Sequence, residues 1–233
     1  MLKRAGTLLF GLGFAALAQG QGISMGQTGG DAGFIEGKHY FLVEPPQPTA
    51  SGKAEVVEVF SYACPACNLF QPTMHKIEQA LPAGTSLVFL PASFRPDEDW
   101  PVFQRAYYTA QSLGIADKTH DATFDAVWKD DGALRITDPA TRRPKNPMPS
   151  IEDVARFYAN YGVKAEDVVA TANSFAVNTK MKRADAQLKA YGVDSTPTLV
   201  VNGKYRLTTS SVGSVDRVVP LVLFLLDKDK ATP

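Results

Sequence analysis

The feature that most constrains the fold is an apolar segment that runs directly into a helix. Residues 54–62, AEVVEVFSY, are mostly apolar, which predicts a strand covered on both faces of a sheet. A helical pattern then continues from Cys64 to about Leu81, and residues 85–94, TSLVFLPASF, predict the next strand. This order predicts a βαβ unit, whose right-handed crossover places the helix N-terminus beside the carboxyl end of the first strand.

The chain has only two cysteines, Cys64 and Cys67, and both lie at the start of this helix. A disulfide that closes so small a ring adds little loop entropy, so the pair is not interpreted as a structural cross-link. Unpaired N–H groups and the positive end of the helix dipole favour a thiolate at Cys64. Because Cys67 lies one turn further in, we expect its sulfur to be less accessible and to act as the partner of a reactive Cys64.

Cysteines with this spacing also occur in zinc sites, which need two further ligands. The three histidines, His39, His75 and His120, show no ligand spacing to the pair or to each other. We therefore expect no metal and no cofactor other than the redox-active Cys64–Cys67 disulfide itself. Each histidine is interpreted as a surface or packing residue.

The N-terminus has the pattern of a secretory signal peptide. Lys3 and Arg4 precede an uncharged apolar stretch of about fourteen residues, and residues 16–18 form an A-x-A pattern. A membrane-spanning helix needs roughly 18 to 20 apolar residues, so this stretch is too short for an anchor. We expect a cleaved signal over residues 1–18, a flexible Gly- and Gln-rich leader over 19–33, and a mature protein in an oxidising compartment.

The charge balance excludes a nucleic-acid-binding protein. Removal of residues 1–18 takes away two basic residues and no acidic one, which leaves 22 basic against 24 acidic residues. A nearly neutral chain without a basic stripe lacks the electrostatic footprint of nucleic-acid binding.

The region from 97 to 191 is predicted to be helical. Trp100, Phe103 and Tyr107 recur at helical spacing, which indicates a first helix with one apolar face. Further helices are predicted around residues 124–128, 150–162, 165–175 and 177–191. Residues 130–150 are Pro-rich and are interpreted as an exposed loop within this helical insertion. The loop is either an ornament or, through Arg142, Arg143 and Lys145, a basic contact for a partner.

A hairpin and a closing helix follow the helical region. Residues 196–201, TPTLVV, and the following KYRL are joined by Asn202-Gly203, a strong two-residue hairpin signal. Residues 215–228 predict a last helix whose apolar run is too short to span a membrane. Pro220 lies inside that pattern, where we expect a kink.

Taken together, these motifs resemble the DsbA family of periplasmic thiol:disulfide oxidoreductases. The resemblance rests on Cys64-Pro65-Ala66-Cys67 after an apolar strand, a helical insertion, and Thr196-Pro197 before TLVVNGKY. It implies an α/β, thioredoxin-like fold with an inserted α-helical domain. The thioredoxin-like domain is then expected over residues 34–96 and 184–233, and the inserted domain over 97–183.

The resemblance also implies a function. An oxidised pair is attacked at Cys64 by a substrate thiolate, and a second substrate thiol resolves the mixed disulfide, which leaves a new disulfide in the substrate. The implied substrates are unfolded exported proteins with free thiols, the implied partner is a DsbB-like, quinone-linked membrane oxidase, and a monomer is expected. Two alternatives remain open: a disulfide isomerase or reductase, and a redox-inactive chaperone that uses the groove around Cys64 and Pro197.

Three further site residues follow from the resemblance. The Thr196–Pro197 bond is expected to be cis and to face the cysteines, where the backbone of Thr196 pairs with substrate; the alternative is a trans proline at an edge strand. Glu58 is expected beneath the site as a proton acceptor for Cys67, although a solvated strand face is the alternative.

The sequence departs from the best-known family members at two positions. The lysine that accompanies the buried acid there is replaced near Phe89. The motif dipeptide is Pro65-Ala66, where those members carry His at the second position. Pro65 suits the first helical turn, since its missing N–H needs no partner there. Ala66 offers no side-chain donor to a thiolate at Cys64.

Overall fold

A mixed five-stranded sheet organises the protein in a computed structural model that describes residues 33–49 and 52–230. The strands are β1 (Phe41–Leu42), β2 (Glu55–Phe60), β3 (Ser86–Pro91), β4 (Thr198–Val201) and β5 (Tyr205–Thr208). Their order across the sheet is β1-β5-β4-β2-β3. Strands β2 and β3 are parallel, and the other three neighbouring pairs are antiparallel. The predicted signal peptide over 1–18 and nearly all of the predicted leader over 19–33 lie outside the described residues.

Eight α-helices accompany the described strands. They are α1 (Pro65–Ala80), α2 (Trp100–Ser112), α3 (Ala116–Trp128), α4 (Ile151–Ala159), α5 (Ala165–Ala172), α6 (Phe175–Ala190), α7 (Thr209–Val212) and α8 (Val218–Lys230). Short 3-10 turns at Pro96–Glu98 and Val215–Arg217 precede α2 and α8. None of the helices in the described ranges is long and apolar enough to cross a membrane.

The predicted βαβ unit is present as β2, α1 and β3. All six residues of β2 are buried, as expected for a strand covered on both faces. Helix α1 begins where predicted, because Cys64 caps its N-terminus and Pro65 occupies its first position. Val56 packs in one apolar cluster with residues of α1 and α8, whereas Val57 packs with residues of the helical region. Alternation along β2 therefore places Glu58 on the face covered by α1.

The helical region shares a hydrophobic core with the sheet. Val57 and Val59 of β2 belong to the same buried cluster as Phe103 of α2, Val154 of α4 and Leu188 of α6. Helix α6 runs without interruption across the boundary predicted between residues 183 and 184. Continuous secondary structure and a common core thus cross the predicted domain limits at 96/97 and 183/184. The division into a thioredoxin-like domain and an inserted helical domain stays a prediction.

Two local predictions are corrected by the structure. Helix α8 begins at Val218, so Pro220 lies in its first turn, where a missing N–H breaks no helical hydrogen bond. The predicted kink at Pro220 therefore has no cause. Within the predicted loop 130–150, Leu134 and Ile136 are buried, and the longest exposed part runs from residue 139 to 147. That exposed part is closed by a hydrogen bond from Lys145 N to Ile136 O of 2.8 Å.

Candidate active site

The two cysteines form the centre of the site. The Cys64 Sγ atom accepts a hydrogen bond from the backbone N–H of Cys67 at 3.4 Å, in the position of a helix N-cap. Both sulfurs are free thiols in the structure. Cys67 has no exposed surface and Cys64 is 5% exposed, so the predicted difference in accessibility is confirmed. Pro65 and Ala66 are exposed above the pair, and the Ala66 methyl supplies no donor.

The surroundings of the two thiols shift their ionisation in opposite directions. The pKa of Cys64 is lowered to about 6, chiefly by a hydrogen bond with the Cys67 side chain, then by Thr196 and the backbone N–H groups of Cys67 and Ala66. Burial opposes this shift and is outweighed. The pKa of Cys67 is raised, first by burial and then by its hydrogen bond with Cys64. At neutral pH the reduced pair therefore holds one thiolate, at Cys64, and one thiol, at Cys67.

The segment before β4 completes the site from the other side. Because β4 pairs antiparallel with β2, the start of β4 lies beside the end of β2 and the start of α1. The Thr196–Pro197 peptide bond is cis, which confirms the prediction. The Thr196 carbonyl lies 3.6 Å from Cys64 Sγ and accepts a hydrogen bond from it when Cys64 is protonated. The segment thus faces the Cys64 sulfur.

Glu58 lies beneath the site, and the alternative of a solvated strand face is wrong. Its side chain has no exposed surface, and neither carboxyl oxygen has a hydrogen-bond partner in the part of the chain that the structure describes. Burial raises the pKa of Glu58 well above its ordinary value, and the nearby charges of Cys64 and Asp121 add to this. Glu58 pairs in register with Phe89 on β3, so an apolar ring stands where we placed the missing lysine. Its role as a proton acceptor stays a prediction.

The comparisons with known proteins agree with this geometry. Residues 55–218 match the family model of the DSBA-like thioredoxin domain. The chain belongs to this family. It is 35% identical over 199 residues to thiol:disulfide interchange protein DsbA of Pseudomonas aeruginosa PAO1, which covers 85% of this chain and 87% of that protein. It is 29% identical over 228 residues to DsbA of Burkholderia cepacia, which covers 97% and 96% of the two chains.

Solved structures confirm the fold. The crystal structure of P. aeruginosa DsbA matches with a TM-score of 0.72 and 34% identity over 85% of this chain and 96% of that one. Oxidoreductase DsbA from Xylella fastidiosa matches with a TM-score of 0.74 and 29% identity over 85% and 99%. The predicted α/β, thioredoxin-like fold of the DsbA type is therefore correct, and the chain is a member of an oxidoreductase family.

In this DsbA-family chain, the residues that surround the loop before Cys64 were not predicted from the sequence. Tyr62 is buried, and helix α3 contacts it through His120 and Trp128. His120 is a packing residue, as interpreted, but its ring also lies 4.1 Å from that of Phe89, and burial lowers its pKa to about 4. The available signal was spacing: His120, Phe124 and Trp128 recur every four residues, which places them on one face of a helix.

The other two histidines lie apart from the cysteines. His39 is buried and accepts a hydrogen bond from Ile35 N at 2.9 Å. His75 is exposed on α1 and lies 3.0 Å from Asp121. Over residues 33–49 and 52–230, the structure contains no group of three or more His, Cys, Asp or Glu side chains placed to hold a metal ion.

Proposed function

We propose that this DsbA-family chain is a dithiol oxidase that donates its Cys64–Cys67 disulfide to proteins with free thiols. The observation that carries the proposal is the unequal environment of the two sulfurs, with a lowered pKa at Cys64 and a raised pKa at the buried Cys67. A stabilised thiolate favours the reduced form of the pair, which makes the oxidised form an oxidant.

The exchange proceeds in two steps. A substrate thiolate attacks Cys64 Sγ, the bond between the enzyme sulfurs breaks, and Cys67 leaves and takes up a proton. A second substrate thiolate then attacks the substrate sulfur of the mixed disulfide and displaces Cys64 as a thiolate. The substrate is oxidised by two electrons, which reduce the enzyme pair. The lowered pKa of Cys64 makes it a good leaving group in the second step.

Glu58 is the proposed proton partner of Cys67. A thiolate at Cys67 is unfavourable because that sulfur has no exposed surface. The raised pKa of Glu58 keeps a proton available nearby for Cys67 when it leaves. By reversibility, Glu58 accepts the proton when Cys67 attacks the mixed disulfide. Neither carboxyl oxygen has a hydrogen-bond partner among the described residues. This supports a proton-transfer role for Glu58 rather than a structural one.

The remaining parts of the proposal concern substrates, compartment and partner. The backbone at Thr196, which faces Cys64, is proposed to pair with an extended segment of an unfolded exported protein. The signal-like N-terminus supports a periplasmic enzyme, which is proposed to act as a monomer. Its reduced pair is proposed to be reoxidised by a DsbB-like, quinone-linked membrane oxidase, with no cofactor beyond the disulfide.

Substitution of each cysteine tests the proposal. Incubated with a substrate protein that already holds a disulfide, Cys67→Ser should accumulate a covalent adduct, because the Cys64 thiolate displaces one substrate sulfur as a thiolate and no second enzyme thiol is present to resolve the mixed disulfide. Cys64→Ser, the matched control, should form no adduct and have no oxidase activity. Equilibration of the wild-type pair with glutathione determines the direction. Oxidase activity retained by Cys64→Ser, or a pair that glutathione barely reduces, would contradict a dithiol oxidase.

The exposed basic loop provides a separate test of partner binding. Arg142, Arg143 and Lys145 are exposed, and the backbone hydrogen bonds that close their loop do not depend on their side chains. If the loop contacts the reoxidising partner, replacement of all three by Ser should slow reoxidation and leave substrate oxidation unchanged. An unchanged reoxidation rate, also after deletion of residues 138–147, would mean that the loop is an ornament.

A further inference from the structure

Tyr62 occupies the loop that connects β2 to the reactive cysteine. The loop is a tight turn, in which Cys64 N donates to Ser61 O at 3.0 Å and Ala63 N donates to Ser61 Oγ at 3.2 Å. The Tyr62 side chain is 1% exposed. Only Ala63 separates Tyr62 from Cys64, so a displacement of the Tyr62 backbone moves the N-cap residue of α1 as well.

Helix α3 holds Tyr62 at two points. Trp128 Nε1, at the end of the helix, donates a hydrogen bond of 2.8 Å to the Tyr62 carbonyl. The Tyr62 hydroxyl and His120 Nδ1, two turns earlier on the same helix face, are joined by a hydrogen bond of 3.1 Å. Phe124 lies between these two residues, with its ring 5.0 Å from that of Tyr62. One helix face thus contacts both the main chain and the side chain of Tyr62.

We propose that α3 positions Cys64 through Tyr62, and that Trp128 and His120 are positioning residues for the redox chemistry. The inference rests on the proposed function and extends it to the helical insertion. The Cys64 sulfur is stabilised by a hydrogen bond of 3.4 Å from Cys67 N. The strength of this bond depends on the position of the loop that contains Tyr62 relative to the first turn of α1. The contact from Trp128 has the larger effect, because it constrains the backbone.

A tryptophan pair supplies the test and its matched control. Trp128→Phe keeps most of the ring but removes the N–H group that donates to Tyr62. Trp100→Phe makes the same chemical change in α2, but the buried Trp100 Nε1 has no hydrogen-bond partner among the residues that the structure describes, so none of the described bonds is lost. Trp128→Phe should raise the pKa of Cys64 by about half a unit and weaken the oxidant about threefold against glutathione. Trp100→Phe should leave both unchanged.

Tyr62→Phe separates the two contacts. It removes the hydroxyl that meets His120 and keeps the carbonyl that meets Trp128. The pKa of Cys64 should rise in this variant by about 0.2 unit, less than in Trp128→Phe. If Trp128→Phe does not fold, the Tyr62→Phe variant provides the test of the proposal. An unchanged pKa of Cys64 in the Tyr62→Phe protein overturns it.

The measurements are thiolate absorbance against pH, the glutathione equilibrium, and thermal unfolding of each variant. A merely structural role predicts a lower melting temperature with no change in the pKa of Cys64, and this result overturns the positioning role. Equal shifts in the Trp128→Phe and Trp100→Phe proteins overturn it as well. An ordinary thiol pKa for Cys64 in the wild-type protein contradicts the proposed function instead, so the two failures are distinguishable.

Discussion

At the scale of single residues, Glu58 is an acid removed from water. Its carboxyl group is fully buried, has no hydrogen-bond partner within residues 33–49 and 52–230, and lies on the sheet face that α1 covers. Burial is the first cause of its raised pKa, because the charged form loses its hydration without gaining a partner. The folded protein therefore binds a proton at Glu58 over a pH range in which the unfolded chain has released it.

This difference sets the sign of a stability prediction. Because the pKa of Glu58 is higher in the folded protein than in the unfolded chain, the contribution of Glu58 to wild-type stability falls as pH rises above about 4.5. Glu58→Gln removes the titration, so the stability of the variant relative to wild type should increase from pH 4 towards pH 8. The limiting slope is about 1.4 kcal/mol per pH unit. Urea unfolding of the oxidised proteins measures it.

Glu78→Gln provides the control, since it makes the same chemical change at an exposed carboxylate on α1. A flat profile for Glu58→Gln would show that Glu58 ionises normally. The proton role has a separate readout: the variant should resolve a mixed disulfide more slowly than wild type. A resolution rate that equals the wild-type rate from pH 6 to 8 would exclude that role.

Ala66 is expected to influence the reduction potential of the Cys64–Cys67 pair, because its side chain has no hydrogen-bond donor. Its side chain is exposed and has no donor, so a His ring has room there to stabilise the Cys64 thiolate. Ala66→His should lower the pKa of Cys64 and raise the reduction potential. One charge-assisted hydrogen bond of roughly 1.5 to 3 kcal/mol corresponds to a shift on the order of 30 to 60 mV.

Ala66→Gly should change both quantities much less, because it neither adds nor removes a side-chain donor. Titration of the thiolate absorbance and equilibration with glutathione measure the two variants. An unchanged or lower potential in the Ala66→His protein would mean that the helix N-terminus, rather than the dipeptide, sets the potential.

At the scale of elements, the β4–β5 hairpin depends on Asn202 and Gly203, which lie in the three-residue connection between Val201 and Tyr205. Asn202 and Gly203 both have positive φ, at 52° and 63°, as the predicted hairpin turn requires. Gly203 also approaches the backbone of a distant segment, because a Cβ there would lie 2.0 Å from Gln47 O. The sequence predicted the turn from Asn-Gly, but the contact with Gln47 is visible only in the structure.

Gly203→Ala should therefore destabilise the protein by more than the cost of a positive φ alone. Gly84 is the matched control, with φ of 83° and no atom within 4 Å of the position that a Cβ would occupy. Gly84→Ala should cost roughly 1 to 2 kcal/mol. Gly203→Ala should cost about 1 to 3 kcal/mol more, because Gln47 must move. Equal free energies of unfolding for the two variants would mean that the Gln47 segment yields freely.

At the scale of the whole molecule, the redox state of the pair should change global stability. The lowered pKa of Cys64, about 6 against an ordinary value of 9.0, stabilises the folded reduced protein above pH 6. This contribution is lost as pH falls through 6 and is complete only near pH 9. At pH 7 it is on the order of 1 kcal/mol, and the disulfide form has no thiol to supply it.

We therefore expect the stability of the reduced protein, relative to the oxidised protein, to increase from pH 5 to pH 8. Thermal unfolding of both forms across this range measures the difference. Cys64→Ser, which has no thiolate, should show no such increase when it is compared with the oxidised protein. A constant difference between the two wild-type forms would mean that the thiolate is not stabilised by folding.

The sequence alone determined the features that depend on neighbours along the chain. The apolar strand before Cys64, the helix that follows it and the Asn-Gly turn were predictable, because hydrophobic period, capping and turn chemistry act within a few residues. The likeness of these local motifs to one family was sufficient for the fold class, and it led to the prediction that the two cysteines are the reactive pair. Local preference also misled: Pro220 predicted a kink, yet α8 starts close enough to it to need none.

The tertiary structure decided what depends on contacts between distant residues. The burial of Glu58 without a partner, the hydrogen bond from Trp128 to Tyr62 and the approach of Thr196 to Cys64 each join separate elements. A pKa is set by desolvation and by partners in space, and spacing along the chain specifies neither. The sequence therefore predicts which cysteine is reactive, but only the packing of α3 and β4 around Cys64 determines how it is held and how readily it ionises.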